Sequence, residues 1–594
     1  MINKVRKLGE YILDNEGDKN PYDLNTSLES ANAILYDFSL AKGRSEFIGI
    51  NTMQFDLSKN DQLLLKNAPG QKKSDFPTYF IGFNRDESQL KSNIQKSLNK
   101  LLITLENNEK INHDLGPFVQ SFKKEFEALK ERTVEKIDQE KSNICSIRIN
   151  DKLPGKSEYY QPILDSYREN RDCGFYQKYG SIALGKNNAC YVCGRISERT
   201  YGFCDTFKFY SSNEAAYISG GFSKELSWKN YPVCPECALH LRLGKEFISN
   251  HFDRNFYGNR YFLIPSPMLD TGNFYKMLEV IKEDFRDLSF RQENESNQQL
   301  RKEMEEEIFE TLSKQKDQAT FTFFFYEASQ SEFKIIQEAE DILPSRFQKL
   351  INAKKHVENF DEFKELKGLY KKNEYHNLLF NFGVVRTFFT SNFNNDFLDI
   401  TSKMLKGRPI SKQFVLHRIS DMLSQKFRKQ ELLYEVRKAF ILIKYLYALD
   451  LIKNEKARRE DEMKNKYEEY FLMHPEFYDA DWKKAVFLTG VLAQNVMDIQ
   501  WQDRGATPFR SRLNGLKIDH RVVKRLLPEA INKLEQYKKN YYRDLEEAIS
   551  KLMESSGLDL QIQSVDEISF YFALGINLNK QFKSKEKEEG EIHE

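Results

Sequence analysis

The sequence predicts an α+β protein in which a mixed N-terminal region precedes a central cysteine-knuckle module with β-strands and a C-terminal α-helical bundle. Three observations predict it. Two CxxC pairs stand in the middle of the chain, Cys190 with Cys193 and Cys234 with Cys237. An aromatic run of strand character, ATFTFFFYEAS, occupies residues 319–329. From about residue 375 onward the apolar spacing reads almost entirely as helix. We divide the chain into a mixed α/β domain (1–145), a metal-binding module (146–260), an α+β continuation (261–374), a helical bundle (375–582) and a disordered tail (583–594).

Residues 1–145 mix strand-like runs, such as FPTYFIGF at 76–83, with helical ones. The stretch 118–141 is charged, amphipathic and nearly free of Gly and Pro, which predicts a helix. Residues 145–260 are richer in Gly, Tyr and Cys, and a helix is predicted from Cys237 to Ser249. The pattern from Met277 to Lys316 is helical; its acidic centre, RKEMEEEIFE, reads as a solvated face or part of a loop. After the aromatic strand, SEFKII continues the β signal and Pro344 opens a helix, a position where proline is tolerated. The tail FKSKEKEEGEIHE is charged and apolar-poor, hence read as disordered. No repeat at solenoid periods is present.

The 594 residues make three or more domains the ordinary expectation. Lys plus Arg number 90 against 89 Asp plus Glu, so overall charge neither favours nor excludes a nucleic-acid partner. The 46 Phe and 30 Tyr are read mostly as core. The N-terminus lacks a signal-peptide apolar stretch, and the richest apolar run, 439–452, is interrupted by Lys444 and reads as a buried helix. We expect a soluble, cytoplasmic protein with no membrane partner.

Five of the seven cysteines fall between Cys190 and Cys237. In CYVCG and CPEC each pair can converge on one ion from a tight turn, and two such knuckles complete a closed tetrahedral site. We therefore assign Cys190, Cys193, Cys234 and Cys237 to one structural zinc, which makes this a zinc-knuckle module. Buried free thiols would not account for two spaced pairs, and redox chemistry would need only one. Cys204 and His240 are not expected to be ligands. On the following helix, Arg242 and Lys245 could face phosphate, but a solvated helix face is the favoured reading.

Catalytic motifs fail. Gly155-Lys156-Ser157 resembles the end of a phosphate-binding loop, yet the position needing the first glycine holds Asn150. His113-Asp114 is a lone pair with no earlier histidine. There is no HExxH and no GxSxG. No catalytic residue is assigned, and the expectation is a protein that is not an enzyme.

Two stretches break the charge balance. Residues 403–438 hold ten Lys/Arg and three Asp/Glu, a net of +7; residues 504–543 hold eleven and three, a net of +8. The second contains the candidate nucleic-acid contacts Arg510, Arg512, Lys517, Arg521, Lys524 and Arg525, the last three sharing one helical side. Acidic neighbours in the fold could equally match these charges, and the sequence does not choose between the two.

CYVCG and YPVCPECALHLRLGKEFI, then FTFFFYEASQSEFKIIQEAEDILPSRF, AVFLTGVLAQNVMDIQ, PFRSRLNGLKIDHRVVKRLLPEAINKLEQY and DEISFYFALGINL, taken in this order, resemble the large-subunit family of type I-B CRISPR complexes (Cascade). The resemblance runs from about Cys190 to Phe582; the N-terminal third carries little of it. It implies a non-catalytic subunit near the 5′ end of a guide RNA. Such a subunit helps recognise the motif flanking the target DNA and recruits a separate helicase-nuclease. It works beside backbone, 5′-handle and small subunits. In the family a small subunit can arise from an internal start, for which Met463 and Met473 qualify by position. Two rivals stand beside it. A zinc-ribbon nuclease or polymerase-like CRISPR large subunit should show an aspartate-rich turn or a full His-Asp set, and neither appears. A zinc-stabilised protein-interaction scaffold would lack salt-dependent DNA binding.

Overall fold

The apolar run from Ala31 to Leu40 forms most of β1 (Ser30–Ala41), a strand buried along nearly its whole length. The structure, a computed structural model, describes the chain except residues 20, 23, 25–27, 42, 67–74, 174–182, 203–206, 208–222, 269–273, 295–297, 316–318, 330–332, 365, 368–374, 430–431, 454–465 and 583–594. The tail, Cys204 and Met463 therefore lie outside the described residues. The chain separates into two units, Ile2–Phe247 and Ile248–Glu594 together with Met1.

In the first unit, β1 pairs antiparallel with β2 (Arg44–Asp56); β3 (Tyr79–Ile81) pairs antiparallel with β4 (Asn143–Ile149), which runs parallel to β1. The order is β2-β1-β4-β3. Helices Glu87–Ile111 and Gly116–Val134 lie between β3 and β4 in the chain. Ile34, Tyr36 and Phe38 meet Ile94, Leu98, Phe118 and Phe122 in one core. Ala31, Ala33 and Leu35 join Phe55, Leu63 and Leu65 in another. With both faces of β1 covered, its sequence runs apolar instead of alternating.

Two predicted elements come out shorter. The helix expected over 118–141 ends at Val134, because Asp138 Oδ1 accepts the backbone N–H groups of Glu140 (2.9 Å) and Lys141 (3.2 Å) and sets a turn. In FPTYFIGF only Tyr79–Ile81 pairs as strand. The helix after the second knuckle, Pro235–His251, begins inside CPEC. It crosses helix Ile2–Glu16 at Gly9 and Gly244, where an added Cβ would stand 1.7 Å from the His240 carbonyl oxygen and 2.1 Å from that of Val5.

In the second unit, β7 (Asp253–Phe256) turns through Tyr257 and Gly258, both at positive φ, into β8 (Asn259–Pro267). Helices Phe274–Asn294 and Gln298–Ser313 lead to β9 (Ala319–Ala328) and then β10 (Phe333–Ile342), giving the order β10-β9-β8-β7. β9 buries Phe321, Phe323, Phe324, Phe325 and Tyr326. Tyr261 stacks on Phe323 at 5.0 Å and Phe262 on Tyr326 at 4.3 Å.

The acidic stretch within 301–310 is not simply a solvated face. Ile308 and Phe309 are buried, and the half-buried Glu305 accepts hydrogen bonds from the Tyr257 hydroxyl (2.6 Å) and the Phe382 N–H (3.0 Å).

The C-terminal part is helical, as expected. Its centre is helix Asp481–Arg504, with 16 of 24 residues buried, packed on helix Val565–Leu578. Helices Lys412–Arg428, His520–Gln536 and Arg543–Ser556 pack around this pair. The fold class is α+β, with several small sheets and a C-terminal helical region. Met473 is 59% exposed, next to the buried pair of His474 Nε2 and Glu362 Oε1 at 2.6 Å.

Candidate metal centre and nucleic-acid face

Both knuckles fold as tight backbone turns. In the first, Gly194 N–H donates to the Cys190 carbonyl (2.8 Å) and Cys190 N–H to the Arg195 carbonyl (2.9 Å). Gly194 has φ +73°, a conformation glycine adopts without steric cost. This turn lies between β5 (Leu184–Ala189) and β6 (Ile196–Tyr201). In the second, Ala238 N–H donates to the Cys234 carbonyl (3.0 Å) at the start of the Pro235–His251 helix. A bridge between Tyr201 and Val233 ties the hairpin to the second knuckle.

The four sulfurs lie within 4.8 Å of one another, and Cys190, Cys234 and Cys237 are buried. Cys234 N–H donates to Cys190 Sγ at 3.3 Å. Hydrogen bonds from the Cys234 and Cys237 thiols hold Cys190 well below the usual thiol range. The same bond to Cys190 pushes Cys234 up to about 11 and pushes Cys237 up as well. Four thiolates this close cannot all ionise unless a cation neutralises them, so the donor set fits a thiophilic metal ion. Among the described residues it is the one such gathering of Cys, His, Asp and Glu. His240 is buried on the same helix and is not part of the cluster.

Arg242 is neither a phosphate contact nor part of a solvated face. It pairs with Asp172 (2.7 Å), Glu246 (3.0 Å) and Asp18. Lys245 lies 5.5 Å from the centre of the Phe207 ring.

The motifs without catalytic context have structural explanations. The 3-10 turn Pro154–Lys156 packs on the chain at Asp61: a Cβ on Gly155 would stand 2.0 Å from the Asp61 carbonyl oxygen. A phosphate cradle has no room there. His113 and Asp114 are exposed at the start of a 3-10 turn, where Asn112 Oδ1 accepts the Asp114 N–H at 3.2 Å.

The structure separates the two basic blocks. In 403–438 more than half of the cations have protein partners. Lys403 pairs with Asp399 (2.7 Å), Arg418 with Asp396 (2.8 Å), Lys412 with Glu567 and Lys438 with Glu435; Arg437 donates to the Glu362 carbonyl (2.7 Å).

The second block differs. Arg510 donates to the Phe427 carbonyl (2.5 Å) and lies over the Phe427 ring (4.0 Å), so it serves packing. Arg512, Lys517, Arg521, Lys524 and Arg525 are exposed. Arg525 is 3.5 Å from Glu529 and donates to the Arg512 carbonyl; the other four have no carboxylate within ion-pair distance among the described residues.

Helix His520–Gln536 places Arg521, Lys524 and Arg525 in its first turns, with the Asp519 side chain capping Val522 N–H at 2.8 Å. Cations near a helix N-terminus oppose its dipole at about 0.3–1 kcal/mol each. Local helix stability therefore does not account for them, whereas an anion at this end would be favoured twice. Trp501 and Tyr541, in the same part of the sequence, are 63% and 70% exposed.

A search of curated proteins finds no match. The family description "CRISPR-associated protein TM1802 (cas_TM1802) central domain" matches residues 187–342, which contain both knuckles, the end of β5 and all of β6 to β10. The corresponding C-terminal domain matches residues 380–590, which contain the helices of the bundle and its basic face. The protein belongs to the TM1802 family of CRISPR-associated proteins, the large subunits of type I-B complexes.

Proposed function

We propose that this chain is a non-catalytic, DNA-facing subunit of a cytoplasmic type I-B surveillance complex. In this reading it contributes to flanking-motif recognition, binds target DNA and recruits a helicase-nuclease. Its partners are the guide RNA, the target DNA, and the backbone, 5′-handle and small subunits. Cys190, Cys193, Cys234 and Cys237 would hold zinc, whose role with four thiolate ligands is structural.

The observation that carries the reading is the contrast between the basic blocks. Among the described residues Arg512, Lys517, Arg521 and Lys524 present charge without acidic partners, while more than half of the earlier block is matched within the fold. A solvated face of this kind neutralises phosphates, and the released counterions supply affinity independent of sequence.

The test is target binding by the assembled complex with Arg521, Lys524 and Arg525 all replaced by Ala. Affinity should fall alike on every target, and the slope of log affinity against log salt should flatten by up to about 2–3. Discrimination among flanking motifs should survive, because backbone contacts position and base contacts specify. Unchanged affinity and slope would return this face to an ordinary solvated surface.

A further inference from the structure

The sheet of the first unit has two edges, and the fold treats them differently. At the β3 edge the strand is only three residues long. Ser97 Oγ donates to the Phe80 carbonyl (2.6 Å) and Asn93 Nδ2 to the Gly82 carbonyl (3.0 Å), so side chains of the neighbouring helix occupy backbone groups there. Both devices discourage pairing with another chain. At the opposite edge β2 runs for 13 residues and has β1 as its one neighbour in the sheet.

Among the described residues, no hydrogen bond outside the β1 ladder falls on the backbone between Arg44 and Met53. The open edge ends at Gln54, whose carbonyl accepts from Lys59 Nζ (2.8 Å). Phe47 to Phe55 contains no charge and no proline, so the sequence adds little protection of its own. A bulge twists the strand at Ile48, which is 64% exposed: Asp37 faces Gly49 while Phe38 faces Phe47. From Gly49 to Asp56 the register with β1 is unbroken.

A row of free N–H and C=O groups is complementary to one kind of ligand, another extended backbone. The side chains set its character. Ile50 and Phe47, opposite Tyr36 and Phe38, lie on the face of the helical core and are only partly buried. Helix Gly116–Val134 packs on β2, with Arg132 5.8 Å from the centre of the Phe47 ring. Asn51 and Glu46, opposite Leu35 and Ser39, lie on the other face and are exposed. An added strand therefore needs apolar side chains beside Phe47 and Ile50 and polar ones beside Asn51. Arg44 and Glu46 are exposed at one end of the edge, and neither has an ion-pair partner among the described residues. They call for an acid and a base on the strand opposite.

We infer that the β2 edge between Arg44 and Met53 takes an added strand from a partner protein. The segment that fits alternates apolar and polar residues, is uncharged at its centre, and carries an acid opposite Arg44 and a base opposite Glu46. It runs antiparallel to β2, the slightly more stable pairing per residue. The charge-dense C-terminal stretch KSKEKEEGEIHE of this chain lacks that pattern. The surface depends neither on the cysteine cluster nor on the C-terminal basic face.

The probe is a fluorescein-labelled synthetic peptide of about nine residues that alternates Thr and Val and ends in Lys-Val-Glu, titrated into the full chain by anisotropy. It should bind, and amide hydrogen exchange should slow in peptides spanning 44–53 when it is added. A probe with proline at alternate positions, which cannot donate along the edge, should not bind. Ile48→Lys with Thr52→Lys sets two cations on the edge at exposed positions. The pair should weaken binding about tenfold or more, with an unchanged melting temperature to verify folding. Arg44→Glu with Glu46→Arg should weaken binding about two- to tenfold, and a probe ending in Glu-Val-Lys should restore it. Failure of the first probe to bind, equal binding of the proline probe, or indifference to the lysine pair would overturn the inference. Exchange at 44–53 equally slow without the probe would give the edge to a segment of this chain. A dimer of the chain alone that the lysine pair breaks would give it to a second copy. Either result would overturn the assignment to a partner protein.

Discussion

Glu305 is the side chain whose role departs furthest from its sequence context. Within RKEMEEEIFE nothing distinguishes it from its neighbours, yet the fold turns its carboxylate toward Tyr257 and Phe382. Burial pushes its pKa up to about 7 against an ordinary 4.5, and the two hydrogen bonds offset only part of that rise. The sign follows by linkage. Between pH 4.5 and 7 the folded protein keeps a proton that the unfolded chain has lost, so stability falls with rising pH across this window and levels off above it. The full cost is up to about 3 kcal/mol. Glu305→Gln can still accept from Phe382 N–H and pair with Tyr257 without ever ionising. It should match wild type near pH 5 and exceed it in stability at pH 8, as urea unfolding at the two values would read. Equal differences at both pH values would remove this proton linkage. The sequence displayed other residues plainly. The cysteine pairs announced their cluster by spacing, and Arg521, Lys524 and Arg525 announced a shared face by period. Arg242 and Glu305 were illegible because their partners, Asp18, Asp172 and Tyr257, are remote in sequence and only the fold brings them together.

Elements were legible where one face alone meets solvent, and less so where both faces are covered. Helix Asp481–Arg504 has apolar residues on all sides, which predicts burial without saying against what. The answer lies in two glycines. An added Cβ on Gly490 would stand 2.2 Å from the Phe572 carbonyl oxygen, and one on Gly575 1.9 Å from that of Phe487. The two helices thus cross with their backbones in contact, and each glycine accommodates the other helix's carbonyl. Gly490→Ala raises intrinsic helix propensity by about 1 kcal/mol. The crossing opposes it: the obstruction is backbone, so the helices must separate and lose packing along their whole contact. We expect a net destabilisation of about 1–3 kcal/mol, read as a lower urea midpoint. Gly575→Ala should act alike. The double variant should cost less than the sum, since one separation of the helices relieves both clashes. Strict additivity, or a stabilised Gly490→Ala, would show that the crossing does not hold this pair together. The same logic explains the shorter elements near the N-terminus: Asp138 ends a predicted helix by binding its own turn, a choice that periodicity does not record.

At the scale of the whole molecule the metal site and the basic face fall in different units: the four cysteines lie in Ile2–Phe247 and the cations in Ile248–Glu594. No helix among the described residues is long and apolar enough to cross a membrane. The family was legible from the order of its pieces. The division also sets what loss of metal should do. A structural zinc contributes to folding free energy directly, because the unfolded chain offers no preformed site. Here the knuckles fasten the β5–β6 hairpin to the start of the Pro235–His251 helix, so metal loss should loosen that region first. Cys190→Ser with Cys193→Ser, or a strong chelator, should take the zinc content from about one per chain to none. Amide hydrogen exchange should then speed up in peptides spanning 184–201 and 233–247. Protection in helices Asp481–Arg504 and Val565–Leu578 should stay as in wild type, since these belong to the other unit with its own core. Elemental analysis and exchange followed by mass spectrometry measure the two effects independently. Zinc retained by the double variant would sink the ligand assignment. Zinc lost together with protection in both units would leave the ligands intact but show that the two units unfold as one.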